Sequence, residues 1–264
     1  WGVSYEPIFD KENSYSIGCV VIDPNNPNIV WVGTGENNNQ RSVAYGDGVY
    51  KSLDGGKSWK NLGLKDSEHI GNILIHPNNS NIIYVAAYGP LWDKGGDRGI
   101  YKSENGGKDW ERILYVDEHT GFNEIHMDPR NPEVLYAASH QRRRHVYTYV
   151  GGGLGSKIYK STDSGKSWKE LKSGLPNSIK GRIGMDISPA NPDYLYALVE
   201  AENNKQGLYV SKDRGESWNK KNKYVTSGNY YQEVFCDPLN CNKVFFMDTW
   251  LHHTSDGGKT VVKT

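Results

Sequence analysis

Three acidic residues, Glu124, Asp186 and Glu233, stand five, three and five positions before a proline in three successive stretches of similar sequence. Arg182 and His126 lie near them along the chain. Two carboxyl groups on opposite sides of a glycosidic bond can cleave it when they stand roughly 5 to 9.5 Å apart. One protonates the leaving oxygen and the other acts as base or nucleophile. Acids that line a hydrated channel and satisfy one another would leave the same pattern without catalysis. A second set falls in long irregular segments: Glu36, Asn37, Asn38, Arg41 and Tyr45; then Trp92, Asp97 and Arg98; then Arg142, Arg143, Arg144, His145 and Tyr147. Aromatic faces combined with amides and guanidinium forks suit a polar ligand such as a glycan or peptide. The run from Arg142 to His145 could hold an acidic partner, although a short basic patch in a neutral protein is more often solvated surface. The adjacent His252 and His253 point to opposite faces of a strand and make a poor chelate, so no metal site is expected. Phosphate-cradling and nucleotide-binding motifs are missing as well, and no cofactor is expected.

The elements that would position these residues come from a repeat. The pattern Ser-x-Asp-x-Gly-x-Ser/Thr-Trp occurs at Ser52–Trp59, Ser103–Trp110, Ser161–Trp168 and Ser211–Trp218, and a copy without its tryptophan at Thr254–Val261. Successive copies start 51, 58, 50 and 43 residues apart. In phase with it, an apolar run ends in Asp-Pro-x-Asn-Pro or a relative of it, as at Asp23–Pro27 and Asp128–Pro132, and a second apolar run follows. Proline presets φ and the short Asp and Asn side chains bond back to the backbone, so this motif makes a turn. Each unit therefore reads as strand A, Asp-Pro turn, strand B, variable loop, strand C, box turn and strand D, the four-stranded blade of a β-propeller. The expectation is an all-β fold with five blades, approximately 15–64, 68–115, 121–173, 181–222 and 230–264. Residues 1–10 read as the end of a preceding blade, with Trp1–Tyr5 as half of another box, so the chain is expected to be part of a larger ring. The box aspartates read as structural, holding turn amides.

This topology places the A–B and C–D turns on one face and the B–C and D–A loops on the other. The long B–C loops, Glu36–Asp47, Tyr88–Arg98, His140–Ser156 and Glu200–Gln206, are where binding residues would gather. In strand A, the fourth and second positions before the turn proline are apolar in every unit, apart from Cys236. The alternate phase carries Glu124, His126, Asp186 and Glu233, and so is expected to approach the central channel.

Composition narrows the functions. The 31 basic and 31 acidic residues balance, which argues against a nucleic-acid partner. No apolar run is long enough to span a membrane. The 30 glycines and 12 % aromatic content fit a turn-rich β protein. Three cysteines are too few for a disulfide framework; Cys236 and Cys241 flank a tight turn and read as unpaired.

The boxes resemble the Asp-box (BNR) repeats of sialidases, xyloglucan-cleaving endoglucanases and the sortilin/VPS10 receptors. The combination with Asp-Pro-x-Asn-Pro over nearly the whole chain looks most like the sortilin-like and xyloglucanase-like propellers. The resemblance implies a fold firmly and an activity weakly. The sialidase branch opens its arginine triad with Phe/Tyr-Arg-Ile-Pro; Gly181-Arg182-Ile183-Gly184 lacks the aromatic and the proline, so sialidase activity is not expected. The expected function is a secreted or surface-exposed recognition propeller, extracellular or periplasmic, binding a polysaccharide, peptide or protein through its long loops. The alternative is a glycoside hydrolase using a carboxylate pair in the central cleft; a purely structural propeller is a third reading.

Overall fold

Alternating apolar and polar positions, broken by Asp-Pro and Asp-box turns, fold into twenty strands forming five four-stranded antiparallel sheets, plus one two-stranded ribbon. The structure, a computed structural model, describes residues 4–264; Trp1, Gly2 and Val3 of the leading half-box lie outside the described residues. Blade 1 contains β1 (Ile17–Ile22), β2 (Val30–Thr34), β3 (Val49–Ser52) and β4 (Lys60–Asn61). Blade 2 contains β5 (Ile70–Ile75), β6 (Ile83–Ala87), β7 (Gly99–Ser103) and β8 (Glu111–Leu114). In blade 3, β9 (Thr120–Asp128) and β10 (Asn131–Gln141) precede a small ribbon, β11 (Arg143–Arg144) and β12 (Tyr149–Val150), and the blade resumes with β13 (Ile158–Ser161) and β14 (Lys169–Leu171). Blade 4 contains β15 (Lys180–Ile187), β16 (Leu195–Ala201), β17 (Gly207–Ser211) and β18 (Asn219–Asn222). Blade 5 contains β19 (Glu233–Cys236), β20 (Val244–Met247), β21 (Leu251–Thr254) and β22 (Val262–Lys263). No α-helix occurs among the described residues.

The blades pack face to face through four apolar cores, one per junction. Ile73 and Ile75 of blade 2 meet Trp31 and Val49 of blade 1. Ile125 of blade 3 packs with Tyr84 and Ile100 of blade 2. Met185 and Ile187 of blade 4 meet Tyr136 and Ile158 of blade 3, and Val234 of blade 5 meets Leu198 and Leu208 of blade 4. The apolar phase of each strand A thus faces the preceding blade. In blade 1 that same phase, Val20 and Ile22, is 60 % and 59 % exposed. The opposite phase faces the following blade at the axis. Innermost strands approach so closely that a Cβ on Gly184 would stand 1.8 Å from the Gln232 carbonyl oxygen, and one on Gly71 would strike the Asn123 backbone at 2.7 Å. Only glycine fits there.

Each box is a closed hydrogen-bond circuit. Ser52 Oγ donates to Asp54 Oδ1 (2.7 Å) and accepts from the Gly56 amide (2.8 Å). Asp54 accepts from the Ser58 amide (2.9 Å) and hydroxyl (2.6 Å). These Ser58 bonds, helped by the Ser52 hydroxyl, hold the exposed Asp54 carboxyl down at about 2. In blade 2 the polarity is reversed: Asn105 Nδ2 donates to Asp109 Oδ2 at 2.7 Å, the acid having moved from the third box position to the seventh. Asn105→Asp therefore sets two carboxylates against each other and lowers stability by about 1 kcal/mol. Asn105→Asp with Asp109→Ser restores it. Urea unfolding of both variants checks this; equal stabilities would remove the circuit argument.

Candidate functional site

Strand alternation delivers ionisable groups from three blades to the axis. Glu124 and His126 come from β9, Arg182 and Asp186 from β15, and Glu233 from β19. Glu124, His126, Asp186 and Glu233 line one cavity of about 580 Å³, together with Glu36, Asn37, Asn72, Tyr231 and Phe235. His126 lies between two acids: its Nε2 is 3.0 Å from Glu124 Oε2 and its Nδ1 is 3.5 Å from Asp186 Oδ1. Asp186 is further fixed by the amides of Ile187 and Cys236, each at 2.8 Å. Glu233 Oε1 accepts from Arg182 Nη2 (3.0 Å) and Asn37 Nδ2 (3.3 Å). Among the described residues its other oxygen has no hydrogen-bond partner. The space between Glu124 and Asp186 is thus filled by an imidazole, whereas Glu233 keeps an oxygen free.

The environment separates these acids chemically. Glu124 is almost wholly buried, and burial followed by repulsion from Glu233 pushes its carboxyl up to about 7, against the pull of His126 and Arg182. Burial works to lower His126, but its hydrogen bond to Glu124 and the charges of Glu124, Asp186 and Glu233 outweigh it and raise the imidazole. A carboxyl that holds its proton near neutrality can act as a general acid, and a carboxylate anchored by a guanidinium can act as a base. Among the described residues no group of three or more His, Cys, Asp or Glu side chains is arranged to hold a metal ion.

A segment of the blade 1 loop roofs the cavity. Arg182, fully buried, donates from Nη1 to the carbonyls of Asn37 (2.9 Å) and Tyr230 (2.7 Å). Arg142, also fully buried, donates from Nη1 to Asn38 O (2.9 Å) and Asn39 Oδ1 (2.6 Å), and from Nη2 to Gly89 O (3.0 Å). Its guanidinium lies 3.4 Å from the centre of the Tyr88 ring. Arg144 donates to Asn39 O (2.6 Å) and to Asn229 Oδ1 (2.8 Å). The Asn39 amide reaches Asn229 O at 3.1 Å. Residues 37–39 are thereby stitched to blades 2, 3 and 4 and to the approach to blade 5.

This stitching decides what the loop residues can do. Asn38 is buried, its side chain accepting the Gln40 amide at 2.9 Å. Arg98 is buried and spends its donors on the carbonyls of Tyr88, Pro90, Asp93 and Gly95, holding its own loop. Asp97 accepts from the Asp66 amide (3.1 Å) and the Tyr101 hydroxyl (3.4 Å), and Glu36 from the Ala44 amide (2.9 Å). With Arg182, these residues build the scaffold. Arg41 and Trp92 are exposed. Arg143 and His145 belong to a separate cavity beside blades 2 and 3. The loop residues therefore do not converge on one surface, whereas the strand A acids do converge. Arg142, Arg144 and Asn39 are the residues whose roles sequence reasoning missed. In the run from Arg142 to His145 burial alternates, Arg142 and Arg144 buried and Arg143 and His145 partly exposed, but four basic residues in a row leave no trace of that phase in the sequence. All three cysteines are free.

A family model described as Sortilin-Vps10, "Sortilin, neurotensin receptor 3", matches residues 98–256. The oligoxyloglucan-reducing end-specific xyloglucanase of Emericella nidulans is 27 % identical over 218 residues, covering 69 % of this chain and 25 % of that protein. A xyloglucanase of Hypocrea jecorina is 24 % identical over 199 residues, 70 % of this chain and 21 % of that protein. Sortilin of Rattus norvegicus is 29 % identical over 134 residues, 49 % of this chain and 14 % of that protein. The chain thus spans a quarter or less of the length of these relatives. Among solved structures, the GH74 xyloglucanase of Xanthomonas campestris superposes with a TM-score of 0.64 at 15 % identity, covering 91 % of this chain and 36 % of that one. An ancestral GH74 enzyme superposes with a TM-score of 0.67 at 18 % identity, covering 95 % and 31 %. These likenesses show a shared propeller fold.

Proposed function

This chain belongs to the Sortilin-Vps10 family, and from that premise we propose that it is the propeller segment of a glycoside hydrolase acting on a β-glucan such as xyloglucan. The observation that carries the reading is the convergence of Glu124, Asp186 and Glu233, with His126, on one axial cavity, in a chain whose curated relatives include xyloglucanases. The alternative of recognition through the long loops loses support because Asn38, Arg98 and Arg182 are buried, Asn38 accepting the Gln40 amide and the two arginines donating to backbone carbonyls within the chain. In the proposed reaction Glu124, in its acid form, donates its proton to the glycosidic oxygen as the C–O bond breaks. Glu233, held by Arg182 and Asn37, removes a proton from the attacking water or adds directly to the anomeric carbon; the sugar-bearing intermediate of the second route is then hydrolysed. His126 and Asp186 position Glu124 and set its proton affinity.

A polymeric substrate that cannot cross a membrane places the protein outside the cell. No helix among the described residues is long and apolar enough to cross a membrane. Assay of the intact protein on a panel of β-glucans tests the proposal. Turnover is expected on at least one of them, and Glu233→Gln lowers kcat by about 100-fold or more with little change in KM. A folded Glu233→Gln variant with unchanged turnover, or an intact protein inert on the whole panel, overturns it.

A further inference from the structure

Blade 1 presents to solvent a face that the other four blades bury. Its strand A residues Val20 and Ile22 are 60 % and 59 % exposed, whereas Ile73, Ile125, Met185 and Val234, at the position of Val20, are at most 4 % exposed. The outer part of that face is nonetheless covered. Phe9 packs edge-on against Tyr50 and Trp59, ring centroids 5.0 and 5.2 Å away. Trp59 Nε1 donates to Ile8 O at 2.7 Å, as Trp110 Nε1 donates at 2.8 Å to Leu62 O, beside the outer strand of blade 1. A Cβ on the box glycine Gly56 would meet Ile8 Cδ1 at 2.8 Å, and ones on Gly107 and Gly215 would meet Leu62 and Leu171 Cδ1 at 2.8 Å too. Residues 6–9 therefore fill, against blade 1, the place that a strand D takes at the other junctions. The places of the inner strands, over Val20 and Ile22, are open.

What can enter is limited by what is already seated. At each of the four junctions the earlier blade sets a strand B ring into the apolar core, namely Trp31, Tyr84, Tyr136 and Tyr196. Blade 5 offers a face of the same kind, with Phe245 at that position and the half-exposed Phe235 paired beside it. Blade 5 of a second copy is nevertheless a poor fit. Its own outer strand, β22, pairs with β21 and would have to enter the place that residues 6–9 hold. The occupant must have an open outer edge.

We propose that Val20 and Ile22 are the docking surface for three antiparallel strands of the same polypeptide, outside these 264 residues, which carry an aromatic ring on their middle strand and take residues 6–9 as their fourth. Exposed apolar faces of this kind mark interaction sites, and the stretch shared with the relatives above is 25 % or less of their length, which leaves room for such a unit. Its innermost strand stands beside Ile17, Gly18 and Cys19. These residues line the axial cavity together with Val234 and Phe235 of blade 5, so the docked unit also supplies part of that cavity's wall. The inference does not rest on the hydrolase reading.

Thiol labelling of the intact protein, read by mass spectrometry of the labelled peptides, tests it. Ile22→Cys lies on the docking surface, and Leu239→Cys, at a position 91 % exposed, reports an open site. Ile22→Cys is expected to label about 100-fold more slowly or less, because a covered thiol reacts only when the structure opens. Ile22→Asp is expected to lower the urea midpoint of the intact protein about as far as Ile75→Asp, its counterpart in a buried junction. Similar labelling rates at the two cysteines, or an unchanged midpoint in Ile22→Asp, overturn the proposal. Protection that disappears on dilution assigns the surface to a second copy, and protection lost with a separable subunit assigns it to another polypeptide; either overturns the occupant named here. Glu233→Gln removes glucan turnover and leaves both labelling rates as they were, so failure of this surface and failure of the hydrolase reading are told apart.

Discussion

Arg142→Ala is expected to lower the unfolding free energy by about 3 to 4 kcal/mol, among the larger effects of any single substitution in the chain. Arg142 is fully buried, and its hydrogen bonds run to Asn38 O, Asn39 Oδ1 and Gly89 O, with the guanidinium plane on Tyr88. Each bond from a charged donor contributes about 1.5 to 3 kcal/mol, and truncation leaves all three acceptors unmet in a dry interior. The stacking on Tyr88 is lost as well, at about 2 kcal/mol when desolvated. Relief from burying a charge without a carboxylate in hydrogen-bond contact offsets part of the sum. Burial lowers the guanidinium from its usual range to about 10, in the direction of that opposing cost. Arg142→Lys recovers little, since an ammonium cannot span acceptors on two loops. Urea unfolding gives the free energy, and limited proteolysis around residues 40–45 reports release of the roof. A loss within 1 kcal/mol of Arg143→Ala would show that the roof is held by something else.

The clamp also marks the limit of what the sequence discloses. Blade number, strand order and the phase of strand A were legible because each is written locally: the box within eight residues, the Asp-Pro turn within five, and alternation along one strand. The convergence of Glu124, Asp186 and Glu233 followed from that phase together with the innermost position of strand A. The arginines were not legible for a different reason. Arg142 meets Asn39 across about a hundred residues of chain, and its acceptors are mainly backbone carbonyls, which every residue has. Nothing in residue type marks a carbonyl that will accept a guanidinium. Arg98 and Arg182 misled in the same way, since an arginine in a long loop or at a strand start reads as a donor for a ligand until its carbonyl partners are known. The β11–β12 ribbon escaped notice because Arg-Arg paired with Tyr-Val has no clear alternation.

The last expected result separates a working acid from a channel of acids that merely satisfy one another. Glu124→Gln lowers kcat/KM by about 10² to 10⁴-fold, the usual contribution of a positioned proton donor, and removes the alkaline limb of the pH–rate profile. The sign follows from the environment. A carboxyl raised to about 7 keeps its proton through the mildly acidic range, so activity holds there and falls as pH rises through that value. His126 bonds to Glu124 and lowers its proton affinity, so His126→Asn moves the limb to higher pH while leaving a measurable rate. Stability is linked to the same protons. Folded Glu124 holds a proton that the unfolded chain releases from about 4.5 upward, so its contribution is complete below that pH and is lost as pH rises through about 7. His126, also raised, acts in the same direction from about 6.5 upward. Glu124→Gln therefore flattens the fall in stability between these values as it removes the kinetic limb. Hydrated acids without a catalytic role predict the flattened stability profile and an unaltered rate, and a limb that stays in place in His126→Asn would assign the titration to another group.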